Sequence, residues 1–267
     1  VAALRAEAEG WQKQLALFSE TLDEWITVQR NWMYLETIFC AEDIQKQLPV
    51  ESQKFNLIDK TWKATLKATN EDPKVISCIK DGPMLLHQFQ HSNKTLEDIQ
   101  KSLEDYLQTK RMAFPRFYFL SNDDLLEILS QTRDPHAVQP HLIKCFDAVK
   151  NLSFGEGDNS KQMVALNSAE GEKVPFNSTL DPQAANGMVE KWLLQVEGAM
   201  KENVSLQCFQ GHADYTKRPR LEWLLNWPGQ VVLGVDQVFW TLEVEEALDN
   251  RGLQGLREYE KKCTEQL

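Results

Sequence analysis

The chain has 267 residues, 42% of them apolar, enough for one large domain or two smaller ones with proper cores. A formal net charge of −11 argues against a nucleic-acid or anionic-membrane surface, since both call for clustered Lys and Arg, and no apolar run approaches the roughly 20 residues of a membrane span. The five cysteines (Cys40, Cys78, Cys145, Cys208, Cys263) are scattered and never form C-x-x-C, which fits reduced thiols in a cytosolic compartment rather than a metal or disulfide framework.

The opening VAALRAEAEG has neither a basic n-region nor a Met and reads as part of something longer. From Trp11 to Phe39 large apolar residues (Trp11, Leu15, Phe18, Leu22, Trp25, Val28, Trp32, Leu35, Phe39) recur at steps of three or four, predicting one continuous helix of about 30 residues and roughly 45 Å. Phe55, Ile58, Trp62 and Leu66 make a second stripe. After Asp81-Gly82-Pro83, a third runs through Leu86, Phe89, Leu96, Ile99, Leu103 and Tyr106 to about Arg111. Short connections make these antiparallel neighbours in a bundle.

Pro115 ends the third helix, and Phe117, Tyr118 and Phe119 are expected as a short extended aromatic plug. Ser121 can cap a helix whose first turn holds Asp123 and Asp124 and whose buried face is Leu125, Leu126, Ile128 and Leu129. Asp134-Pro135 and Gln139-Pro140 are expected to start two further short helices, the second carrying Leu142, Ile143, Phe146 and Val149. GEGDNSK (155–161) is a polar break, and MVALNSAEGEKVPF alternates about Glu170-Gly171 as a β-hairpin does. Helix returns at Val189, Leu193, Val196 and Met200 and around Leu221, Leu224 and Leu225. QVVLGVDQVFWTLEVEEAL (230–248) keeps the helical spacing despite its β-branched content, and LQGLREYEKKCTEQL begins one more helix.

The expected fold is therefore mainly α: an elongated arrangement of antiparallel helical bundles with one short β-hairpin. Its stretches are a helical bundle over 1–113, a short-helix junction and second bundle over 114–154, a loop and hairpin over 155–182, and a helical bundle over 183–267.

Motifs that would carry chemistry are sparse. The Gly155, Gly157, Lys161 group lacks the G-x-x-x-x-G-K-[ST] spacing of a phosphate loop. His87 and His91 lie four apart, but HQFQH lacks the Glu of H-E-x-x-H and a third ligand. His136, His141 and His212 have no nucleophile context, and Asp123-Asp124 and Glu243, Glu245, Glu246 are accounted for by helix starts and solvated faces. Asn93, Asn151, Asn177 and Asn203 head formal glycosylation acceptors without a secretory signal. No catalytic, cofactor-binding or metal residue is assigned. Eight tryptophans are expected chiefly in cores and between helices, with Trp223, Trp227 and Trp240 as candidates to face a docking partner.

Six blocks together resemble the dynein heavy chain family, in its axonemal branch and in the linker region before the AAA+ ring. They are VQRNWMYLETIF (28–39), AEDIQKQLPVESQKF (41–55), the run from Leu96 to Asp147 that contains FPRFYFLSNDDLLEILSQTRDP, SAEGEKV (168–174), VEKWLLQVEGAM (189–200) and RLEWLLNWPGQVVLGVDQVFWTLEVEEAL (220–248). The resemblance implies a mechanical lever, bent or straight according to the nucleotide state of its own AAA+ ring, whose C-terminal end joins the first AAA+ module. It implies ATP and Mg only in the parent motor, the tail and other dynein subunits as partners, and microtubules reached only through a stalk absent from these residues. A cytoskeletal location in the axoneme of a cilium or flagellum follows likewise. Walker motif, stalk coiled coil and microtubule-binding domain are missing, so no enzymatic activity is expected of these residues alone. A passive spectrin-like helical scaffold or interaction module is the alternative, although it would need neither SAEGEKV nor FPRFYFLSNDD.

Overall fold

The structure, a computed structural model, describes residues 2–131 and 134–265. It divides into two compact units, Val1–Thr132 and Arg133–Leu267.

The N-terminal unit is built on three long helices, α1 (Ala2–Phe39), α3 (Pro49–Glu71) and α5 (Met84–Ala113). Trp32 meets Trp62 and Phe39 meets Phe55, so α1 and α3 run antiparallel; Trp62 meets Phe89, so α5 reverses again and lies along α1. The helix expected from Trp11 to Phe39 ends at Phe39 and begins earlier, at Ala2. Two short helices absent from the sequence reading occupy the connections, α2 (Glu42–Gln47) and α4 (Val75–Cys78). Both are too short to display a period, which is why spacing alone does not reveal them.

Residues 115–119 form a 3-10 turn (Pro115–Phe119), not an extended segment: Pro115 fixes φ for a helical first position, and Phe117 N–H donates to Phe114 O at 3.0 Å. Then comes α6 (Asn122–Ser130), opened by a capping box. Asp124 N–H donates to Ser121 Oγ at 3.1 Å and the Asp124 carboxylate accepts back from Ser121 N–H. Leu125, Leu126, Ile128 and Leu129 are all buried.

In the second unit Asp134-Pro135 starts no helix. Asp134 Oδ1 accepts from His136 N–H at 3.0 Å as a cap would, but the backbone closes turns between residues three apart, with Ala137 N–H donating to Asp134 O at 3.1 Å and Gln139 N–H to His136 O at 3.2 Å, in place of a helical ladder. Helix α7 (Gln139–Cys145) then leads to a three-stranded antiparallel sheet, β1 (Asn151–Phe154), β2 (Met163–Asn167) and β3 (Lys173–Leu180), in that order. The expected hairpin is β2–β3; β1 is a further strand, too short to alternate visibly. Both edges are guarded. Gln139 holds Leu152 by both backbone groups (2.8 and 3.0 Å), standing in for a missing strand. On β3, Pro175 has no N–H to offer, and Asn177 N–H is taken by Asn203 Oδ1 of α8 at 2.9 Å.

Helix α8 (Val189–Asp214) packs on β3, α9 (Arg220–Asn226) is short, and α10 (Gly229–Glu265) carries the 230–248 segment as helix. Inside α10, Gly252 has φ 57° and ψ −138°. Glu243 and Lys262 would stand about 28 Å apart on a straight helix, yet their charged ends lie 3.4 Å apart, so the chain folds back at Gly252 into a helical hairpin. No helix of the described residues is long and apolar enough to cross a membrane.

Candidate functional site

What the N-terminal unit holds at its centre is an aromatic lock across three helices. Trp25 of α1, Trp62 of α3 and Phe89 of α5 meet edge to face, with centroids 5.7, 5.2 and 6.0 Å apart. Such pairs contribute about 0.5–1.5 kcal/mol each beyond the area they bury. Trp32 Nε1 donates to Asp59 Oδ1 at 3.0 Å, and Lys63 bridges the same carboxylate at 2.9 Å. Asn93, buried on α5, donates its amide to the backbone oxygen and carboxylate of Glu24 on α1. A long helix held at spaced points by wedges and hydrogen bonds resists bending between them.

The segment after α5 is locked in the same way. Phe114 and Phe117 are fully buried and meet edge to face at 5.0 Å, and Arg111 ties the end of α5 to Leu120 O and Asn122 Oδ1. The expected plug is narrower than its sequence, since Tyr118 and Phe119 are exposed. Of the stretch 114–135, residues 132 and 133 lie outside the described residues.

In the C-terminal unit α8, α9 and α10 close on Trp223, which is fully buried and donates from Nε1 to Gly211 O at 2.9 Å. A Cβ at Gly211 would come within 2.9 Å of Val231, so glycine is what lets α10 approach α8. Trp227 Nε1 donates to Asp214 Oδ2 at 3.3 Å, and Arg220 bridges Asp236 at 2.8 Å while donating to Tyr215 Oη. Burial, against the pull of Arg220, raises the Tyr215 phenol above its ordinary value. In the helical hairpin burial likewise raises Tyr259, assisted by Cys263 and the Glu243 carboxylate. Of the three tryptophans expected as docking candidates, Trp223 is core and Trp227 half-buried; only Trp240 is exposed.

The histidines are scattered. His87 and His91 are exposed on α5, and among the described residues no group of three potential metal donors includes either. His136 lies against Phe154 at 4.0 Å, His212 stacks on Phe239 at 4.8 Å, and His141 is buried. Gly157 sits in a 3-10 turn (Gly157–Asn159) rather than a strand-to-helix loop. Asn93 and Asn203 are buried and hydrogen-bonded, which leaves them no room for a glycan.

One surface feature was not legible from spacing alone. Leu4, Trp11, Leu15, Leu22, Ile26 and Met33 repeat at seven and four along α1 and are all exposed. At 100° per residue they fall within an arc of about 60°, separate from the buried face of Thr21, Val28, Leu35 and Phe39. The sequence reading merged the two faces into one stripe, because both obey the same three-and-four rule.

The fold thus defines a helical structural module whose interlocking is achieved by aromatic wedges, close-approach glycines and side-chain hydrogen bonds. Residues 1–211 match the family model described as dynein heavy chain, N-terminal region 2, and the chain belongs to the dynein heavy chain family. Human dynein axonemal heavy chain 6 is 44% identical over 284 residues, covering 99% of this chain and 7% of that protein. Mouse dynein axonemal heavy chain 3 and human dynein axonemal heavy chain 1 are each 46% identical over 245 residues, covering 92% of this chain and 6% of theirs. The chain therefore spans less than a tenth of the length of these relatives.

Proposed function

We propose that the chain is a segment of the linker of an axonemal dynein heavy chain, a mechanical lever that carries ATP-driven changes of the parent's AAA+ ring into microtubule sliding in a cilium or flagellum. The match of residues 1–211 to the N-terminal region of the family is the observation that carries this reading. The build of the units supports it, because a lever needs stiffness. The helices α1 and α5 are 38 and 30 residues long and are joined by the Trp25, Trp62, Phe89 lock and the Asn93 clamp.

The lever's partner is its own AAA+ ring in cis, which supplies the ATP and Mg chemistry; tail and other dynein subunits connect through the parent chain, and microtubules through its stalk. The docking surface need not be large. Moving a two-state element from 1:99 to 99:1 takes about 5.5 kcal/mol of differential affinity, equivalent to about 220 Å² of net apolar contact before the costs of docking.

The test replaces residues 1–267 in the parent heavy chain by an inert helical spacer of equal length. ATP turnover persists and microtubule gliding slows sharply on this reading. Gliding at the original speed contradicts it.

A further inference from the structure

We propose that the hairpin turn between β2 and β3 is a detachable latch on α10, closed by Glu172. The turn is tightly built. Ser168 N–H donates to Glu172 O at 2.9 Å, Glu172 N–H donates to Ser168 Oγ at 3.2 Å, and Gly171 takes φ 93°, which an L side chain rarely adopts. These bonds fix where the Glu172 side chain leaves the turn. Its Oε1 accepts a hydrogen bond from Gly229 N–H at 2.8 Å, across 57 residues of sequence.

Gly229 is the first residue of α10, and that helix has no carboxylate of its own in its first turn. The leading N–H groups of a helix lack intrahelical acceptors and carry partial positive charge, so a carboxylate placed there serves as acceptor and counter-charge together. Glu172 supplies from the sheet what the local sequence of α10 omits. A Cβ at position 229 would lie 3.2 Å from that carboxylate oxygen, so the glycine keeps the approach open. Both Glu172 and the hydrogen bond are exposed to water. Water competes for both groups, so the contact biases the hairpin toward α10 and still opens readily.

Two of the resembling blocks, SAEGEKV and the one containing WPGQVVLG, thereby meet at a single bond. The proposal goes beyond the lever reading and rests on it only for its consequence: with the latch closed the tip of the β2–β3 hairpin is held at the start of α10, and with it open the tip is released while the sheet stays packed on α8.

The test is amide hydrogen exchange of the whole chain, read at Gly229 by NMR, in wild type, Glu172→Ala, Glu172→Gln and Glu170→Ala, with far-UV circular dichroism to establish that each is folded. Exchange at Gly229 should quicken roughly fivefold to tenfold in Glu172→Ala, the scale of one helix-capping contact, and less in Glu172→Gln, which keeps an acceptor without the charge. Glu170→Ala, in the same turn, should leave it unchanged. Wild-type exchange in Glu172→Ala, or equal acceleration in Glu170→Ala, overturns the latch. The readout involves neither nucleotide nor microtubules, so latch and lever fail separately.

Discussion

Phe117 and Phe119 lie two residues apart in one aromatic run, and the 3-10 turn sends them to opposite fates. Phe117 is 0% exposed against Phe114, whereas Phe119 is 73% exposed. In urea unfolding Phe117→Ala should therefore cost about 3–5 kcal/mol, as deletion of a buried ring does, and Phe119→Ala should stay within about 0.5 kcal/mol of wild type. Equal losses would mean that the run acts as one plug, the arrangement that an extended segment implies. The sequence identifies the cap that follows, because Ser121 and Asp124 act on neighbours three residues away. It does not reveal which aromatic is buried, because that depends on whether the run turns with a period of three, pairing Phe117 with Phe114, or extends with a period of two, pairing it with Phe119.

At the scale of elements, the long helices were legible because amphipathic spacing repeats over many turns, and β2–β3 because alternation flanks a glycine. Helices α2 and α4 and strand β1 were not, being held by neighbours: Ile44 is buried within its unit, and β1 is completed by Gln139. The helical hairpin in α10 shows the same division. Spacing predicts helix on both sides of Gly252, yet the reversal depends on Gly255, where a Cβ would lie 2.2 Å from Ala247 O. Gly255→Ala should force the arms apart at a cost of about 1–3 kcal/mol, seen as faster hydrogen exchange over residues 253–265 with α1 and α5 unaffected. Gly234→Ala, where nothing lies within 4 Å of the added Cβ, should leave that exchange unchanged. Unaltered protection in Gly255→Ala would contradict the close crossing.

For the whole molecule, the identity is legible in the resembling blocks, which point to the dynein heavy chains, the family to which the chain belongs. No stretch of helical stripes could supply that identity, since helical periodicity is shared by every bundle. The exposed row from Leu4 to Met33 shares its helix with Trp25 of the aromatic lock, so α1 is at once braced against α3 and α5 and outwardly apolar. The most direct measurement is a pair of structures of the parent heavy chain, one nucleotide-free and one with ATP bound at the first AAA+ module. The lever account predicts that the interior of each unit superimposes between the two while these residues change their course across the ring. An identical course in both states would contradict it.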